Sequence, residues 1–254
     1  MTPDFLIYQD YIHNNGQLHR ALSPYGTTGY CDAADIISGV LDHPPRLLVM
    51  PGGADLYYCE KLNGAGNAAI RRYVEHGGSY LGICAGAYYA CESLCWAAGT
   101  DQSITGSREL GFYPGTATGP VAALMQGLDQ SWLGVAPLQC HDGSRMMSCY
   151  DAGPVFSEPG DQAEIMARYD SLPGQPPAIV GCAIGRGYAV LSGPHIERLM
   201  PWAANALSQH ANPHYTYESG IYKTLASGAT DQEKLWSLVM DRLLTQARAM
   251  HHAA

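Results

Sequence analysis

Leu81-Gly82-Ile83-Cys84-Ala85-Gly86-Ala87 decides the reading of this chain. The apolar run Ser79–Ile83 reads as a buried strand, and small residues open a helix directly after Cys84. Glycines two before and two after the cysteine permit a turn too tight for side chains at those positions. This is the Gly-x-nucleophile-x-Gly elbow, with cysteine as the nucleophile. Such a turn pushes the thiol out of the sheet edge, and a helix N-terminus behind it favours thiolate over thiol. The competing reading is a glycine-rich packing turn around a buried cysteine. The strand–turn–helix context favours the elbow.

Outward from the elbow, short apolar runs alternate with helical patterns. Phe5–Tyr8 and Leu47–Met50 read as buried strands, and residues 33–41 as a helix between them. Residues 63–76 read as a helix with Ile70, Tyr73 and Val74 on one face, ended by Gly77-Gly78. Residues 87–98 read as the helix after the elbow, stopped by Gly99. The alternation predicts βαβ units: an α/β fold of three layers, with a mainly parallel central sheet and helices on both faces.

Later in the chain, residues 163–169, 178–183 and 188–191 read as strands, the last two joined by a Gly185-Arg186-Gly187 turn. Residues 111–120 and 172–177 are rich in Gly and Pro and read as loops. Residues 233–249 read as an amphipathic terminal helix with Leu235, Leu238, Val239, Arg242 and Leu243 around one seam. Without a separating linker, 1–254 is expected to form one domain, with the helix at about 231–249 packed on it.

Composition narrows the function classes. The 254 residues are 46% hydrophobic and 15% charged, enough for a substantial core, and carry a net charge of −9. That charge argues against a nucleic-acid partner, which needs basic surface to displace counterions, and against docking on an anionic membrane. No run of 18 or more apolar residues is present, and Met1-Thr2-Pro3-Asp4 lacks the basic start of a signal peptide. A cytoplasmic protein with mostly buried, reduced thiols is expected from its 8 cysteines. Cys91 and Cys95, four apart on the expected helix, would need outside partners to hold a metal. No second Cys/His pair has zinc-site spacing, so neither metal nor cofactor is expected.

A cysteine nucleophile needs a base and a group that orients the base. Leu191-Ser192-Gly193-Pro194-His195-Ile196-Glu197 follows an expected strand. In an extended segment residues i and i+2 point the same way, so Glu197 reaches one ring nitrogen of His195 while the other faces Cys84. Developing charge on the carbonyl oxygen needs donors. Met50-Pro51-Gly52-Gly53 ends a strand, and the N–H groups of Gly52 and Gly53, with that of Ala85, are the candidates.

In this chain order, Pro51-Gly52-Gly53, Gly82-Ile83-Cys84-Ala85-Gly86 and His195-Ile196-Glu197 resemble the class I glutamine amidotransferase-like superfamily. That resemblance implies a flavodoxin-like fold and a Cys-His-Glu triad. A closer resemblance runs from about residue 45 to 200. Pro51-Gly52-Gly53-Ala54-Asp55-Leu56, Leu62-Asn63-Gly64-Ala65-Gly66-Asn67, Gly77-Gly78-Ser79-Tyr80 with the elbow, and Gly111-Phe112-Tyr113-Pro114-Gly115-Thr116 are similar to the N-terminal domain of eukaryotic-type biotin–protein ligases. The residues outside that stretch, about 10–30 and 205–254, resemble no named family.

Two departures bear on function. The ligases activate biotin in a separate domain with a Gly-Arg-Gly-Arg-type loop, and this chain offers only Gly185-Arg186-Gly187-Tyr188, so no biotinylation is expected. Glutaminases of the superfamily usually carry a glutamine just after the elbow, and here the positions are Ala87 and Tyr88. Free glutamine is therefore a doubtful substrate. The expected substrate is an unidentified small-molecule or peptide-like amide or related carbonyl compound.

Asp55, Tyr57, Tyr58 and Tyr88 are candidates for the pocket wall, with Tyr89 near them. Tyrosines half-buried in packing are the open alternative. Asp55 and Glu60 either grip a cation or cap the following turn, and Arg108-Glu109 is equally open. His13, His19, His141, His251 and His252 show no ligand spacing and read as surface residues. Two functions compete: a cysteine-dependent hydrolase or amidotransferase-like enzyme, and a binding or regulatory module that keeps the geometry without turnover. A thiol-redox protein is a weak third, since no Cys-x-x-Cys is present.

Overall fold

The computed structural model describes residues 3–10, 15–199 and 214–251. His13 and His252 lie outside them. The main sheet has nine strands in the order β2-β1-β3-β4-β13-β12-β11-β8-β9. Its parallel half comprises β1 (Phe5–Tyr8), β2 (Thr28–Cys31), β3 (Leu47–Met50), β4 (Ser79–Ile83) and β13 (Gly187–Ser192). An antiparallel extension follows: β12 (Pro177–Ile184), β11 (Glu164–Tyr169), β8 (Leu133–Cys140) and β9 (Arg145–Asp151).

The period of two along the strands builds two cores, one on each face. Phe5, Ile7, Leu47, Val49, Leu81, Ile83 and Val190 face one side. There they meet α1 (Gly16–Leu22) and the terminal helix α7 (Ala229–His251) through Leu18, Leu22, Leu235, Trp236 and Val239. Leu6, Tyr8, Leu48, Met50, Tyr80 and Leu191 face the other side. That face is covered by α2 (Ala33–Ile37), α3 (Asp55–Leu62), α4 (Ala65–Glu75) and α5 (Ala85–Tyr89). An α/β architecture with helices on both faces follows, as the βαβ pattern implies. A further helix, α6 (Tyr215–Ser227), precedes α7. Among the described residues no helix is long and apolar enough to cross a membrane.

Four expectations need correction. The helix expected over 33–41 stops at Ile37, and a 3-10 turn, Val40–Asp42, follows a left-handed Gly39. The helix expected over 63–76 starts at Ala65 instead, and α3 precedes it. The helix expected over 87–98 does not form: α5 ends at Tyr89, and Cys91–Trp96 is a strand, β5. The loop expected over 111–120 is mostly a strand, β7 (Tyr113–Gly119).

The last two errors share one cause. β5 pairs with β6 (Ile104–Ser107) and with β7, and β7 pairs with β10 (Val155–Phe156), giving a second, four-stranded sheet. Partners distant in sequence decide a strand, and local propensity in Cys91-Glu92-Ser93-Leu94-Cys95-Trp96 is too weak a prior to oppose them. Cys91 and Cys95 are thus four residues apart on a strand, about 13 Å at the usual rise, too far to share a metal. All eight cysteines are free thiols.

Candidate active site

The elbow forms at the C-terminal end of β4. Cys84 sits at φ 50, ψ −105, outside the regions comfortable for an L-residue. A Cβ on Gly86 would collide with the Met50 carbonyl, so the two-after glycine is required by close approach to β3. Gly86 N–H donates to Pro51 O at 3.1 Å and Tyr80 Oη to Gly86 O at 2.9 Å, which locks the elbow to the Pro51-Gly52-Gly53 loop. α5 has only five residues, so a helix dipole behind the thiol is weaker than the sequence suggests.

His195 arrives from the neighbouring strand. Cys84 N–H donates to Ser192 O at 2.9 Å, pinning the elbow to the end of β13 three residues before His195. His195 N–H then donates to Cys149 O at 2.8 Å, an isolated bridge to β9. The segment turns at this point, with Arg198 N–H donating to His195 O at 3.2 Å. The extended geometry expected for 195–197 is therefore replaced by a turn, but the side chains still meet: His195 Nδ1 lies 2.7 Å from Glu197 Oε1.

His195 and Glu197 are 5% and 6% exposed, so their charges are settled by each other. Burial opposes charge on both. For His195, Arg198 opposes it too, but Glu197 and Cys84 outweigh them and raise the ring above its ordinary value. For Glu197, the His195 ring holds the carboxyl below the usual range. An ionised carboxylate only accepts, so Nδ1 carries the proton of this bond and Nε2 is left for Cys84. A Cβ built on Gly52 would lie 2.6 Å from His195 Cε1, 3.3 Å from Nε2 and 3.5 Å from Cys84 Cβ. Only glycine lets the loop backbone approach ring and elbow together. The Cys84 thiol donates to Asp151 O at 3.4 Å.

Cys84, Ala85, Gly52, Gly53 and His195 share one cleft of about 630 Å³. Among the described residues the N–H groups of Gly52, Gly53 and Ala85 make no hydrogen bond. Of the expected wall residues, Asp55 and Tyr88 line this cleft. Asp55 is held by Arg108, Nε to Oδ2 at 2.6 Å, which resolves Arg108 as its partner. Glu109 accepts from Gly64 N–H and Asn67 Nδ2, tying the start of α4, and Glu60 is exposed.

Tyr57 and Tyr58 are corrected: neither lines the cleft. Tyr58 is fully buried behind the loop, its hydroxyl donating to Pro51 O at 2.8 Å and its ring meeting Tyr8 and Tyr89 edge-on. The helical phase of α3 turns Asp55 and Leu56 to the cleft instead. Gly185-Arg186-Gly187 is the β12–β13 hairpin, beside Glu75 and at the opposite end of the sheet from Cys84.

Residues 12–252 match the family described as biotin-protein ligase, N terminal. The chain belongs to this family. A protein of Chlamydia muridarum, itself uncharacterized, is 41% identical over 158 residues, covering 61% of each chain. A biotin–protein ligase of Schizosaccharomyces pombe is 30% identical over 170 residues, 59% of this chain and 25% of the yeast protein. The match thus spans about three fifths of the first relative and a quarter of the second. Among solved structures, a glutamine amidotransferase superposes with TM-score 0.55 at 17% identity, covering 76% of this chain and 90% of that one. One from Thermotoga maritima gives 0.53 at 15%, covering 96% of each. At those identities the likeness establishes the fold.

Sequence reasoning missed several residues that this biotin–protein ligase N-terminal chain places in the cleft. Arg198 immediately follows Glu197, and its Nη2 meets Asp151 Oδ2 at 2.7 Å. Burial opposes charge on Asp151, but Arg198 and His195 hold its carboxyl below the ordinary value. A cation adjacent to His-x-Glu was the available signal for Arg198. Trp96 had none because its strand reads locally as helix, and Ile104 and Trp132 lie in segments with no motif.

The backbone at Cys84 yields a stability prediction. A left-handed conformation outside the αL basin costs about 1–3 kcal/mol for a residue with a Cβ. Glycine relieves this at an entropic cost of about 0.5–1 kcal/mol. Cys84→Gly is therefore expected to be more stable than Cys84→Ala by about 1 kcal/mol in urea unfolding, although both lack the thiol. Equal midpoints would show that the elbow is unstrained.

Proposed function

We propose that this chain is a cysteine-dependent hydrolase acting on an amide or related carbonyl, with Cys84 as nucleophile, His195 as acid–base and Glu197 as orienter. The observation that carries the reading is the buried 2.7 Å His195–Glu197 pair, which lines one cleft together with Cys84. In this reaction the Cys84 thiolate, its proton already held on His195 Nε2, attacks the carbonyl carbon. The oxyanion forms opposite the Gly52, Gly53 and Ala85 N–H groups. On collapse of the tetrahedral adduct the leaving amine takes the proton from His195, and a thioester remains. His195 then deprotonates a water that attacks the thioester, and returns that proton to the departing thiol.

Free glutamine fits this cleft poorly, since Tyr88 stands where a glutamine-reading side chain would. Biotin transfer by this chain alone is not expected: Arg186 lies at the far end of the sheet from Cys84. A second reading, a binding or regulatory module, is favoured by one observation, the Cys84 hydrogen bond to Asp151 O, which satisfies the thiol at rest.

An amide, ester and amino-acid panel, followed by mass spectrometry with wild type and Cys84→Ser, separates the two. The hydrolase reading expects turnover that falls by about 100-fold or more in Cys84→Ser, and a thioester adduct in wild type. Turnover unaffected by the substitution would sink it. A reactive Cys84 with no product across the panel would favour the binding module.

A further inference from the structure

We infer that the cleft selects an acyl donor bearing a large aromatic or apolar side chain beside the scissile carbonyl. This inference rests on the thiol reading above. The wall responsible is a chain of three rings. Tyr88, three positions after Ala85 on α5, meets Trp96 edge-on with centroids 5.6 Å apart and planes at 78°. Trp96 meets Trp132 in the same way, at 5.7 Å and 67°. The chain runs from Tyr88, 3% exposed beside the nucleophile helix, to Trp132, 38% exposed at the mouth. Ile104 of the small sheet and Leu56 of α3 add apolar surface to the same cleft.

Two of the three polar handles on these rings are already used. Tyr88 Oη donates to Ala152 O at 3.2 Å, and Trp132 Nε1 donates to Leu128 O at 2.8 Å. What Tyr88 and Trp132 offer an occupant is ring face and edge, which suits an aromatic or branched apolar group. Asp55 pairs with Arg108 and Asp151 with Arg198 beside this wall.

The cleft is also longer than one amino acid needs. A second hollow of about 510 Å³ shares Trp132, Asp151, Arg198 and Tyr222 with the first. These four shared residues set the two hollows side by side, so a peptide-like donor with its side chain on the ring wall has the second hollow next to it. Pockets of this size hold ligands larger than a free amino acid.

Alkylating probes test the inference without requiring turnover. Acetyl-phenylalanyl and acetyl-alanyl chloromethyl ketone, and the glutamine analogue 6-diazo-5-oxo-norleucine, are compared by intact-protein mass and peptide mapping, with iodoacetamide as the reference reagent. The phenylalanyl probe is expected to label Cys84 at least about tenfold faster than the alanyl probe. Trp132→Ala is expected to bring that ratio towards one, and Trp132→Phe to keep most of it. Equal rates, a fastest reaction with the glutamine analogue, or an undiminished ratio in Trp132→Ala would overturn the inference while iodoacetamide still singles out Cys84. If no reagent, iodoacetamide included, singles out Cys84, the hydrolase reading fails and the inference with it.

Discussion

Iodoacetamide is expected to modify Cys84 ahead of the other seven thiols at neutral pH, and His195→Ala to slow that reaction by about tenfold to a hundredfold. The thiolate is the reacting species, and an acid–base partner contributes on the order of 10²-fold or more where it is positioned. The contrast with the other cysteines is physical. Burial pushes Cys31, Cys149 and Cys182 up to about 12 and raises Cys59, Cys91 and Cys140 as well. Cys95 lies on β5, away from the cleft. Cys84 alone faces a histidine whose ring is held charged by a buried carboxylate. Peptide mapping after timed labelling reads both effects. Labelling of Cys84 at the same rate in His195→Ala would remove the ring from the mechanism.

Glu197→Ala is expected to destabilise the fold by about 3–5 kcal/mol, because removing one partner of a buried ion pair strands the other. The cost falls towards the lower end, since a ring without Glu197 can shed its proton. The pH dependence follows from the two directions. The His195 value is raised, so its contribution is complete below its ordinary value of 6.5 and is lost as pH climbs through the raised value. The Glu197 value is lowered, so its contribution is complete above its ordinary value of 4.5 and is lost as pH falls through the depressed value. The stability gap between wild type and Glu197→Ala should therefore be widest from pH 4.5 to 6.5 and narrow on both sides. Urea unfolding at several pH values measures it. A gap independent of pH would show that the pair is neutral in the folded protein.

The motifs that were legible share a local cause. Gly82 and Gly86 mark the elbow because close backbone approach excludes every other side chain, and that demand is written at fixed spacing around Cys84. The His195–Glu197 contact was legible for the same reason, although the backbone reaches it by a turn and not by extension. Runs such as Phe5–Tyr8 and Leu47–Met50 announced buried strands because both faces of the sheet are covered.

The wall of the cleft was not legible. Trp96 reaches it only because β5 finds β6 and β7, pairings set by residues well away in the chain. Trp132 and Asp151 come from segments with no motif, brought in by the antiparallel extension of the main sheet. Tyr57 and Tyr58, near the loop in sequence, turn out of the cleft because a helix rotates successive side chains by about 100°. The sequence by itself thus determined the family, the α/β frame, the elbow at Cys84 and the His195–Glu197 contact, because each is written in local motifs and backbone geometry. The tertiary structure alone decided what surrounds Cys84, because strand pairing across long separations, and not local preference, chooses which side chains share a cavity.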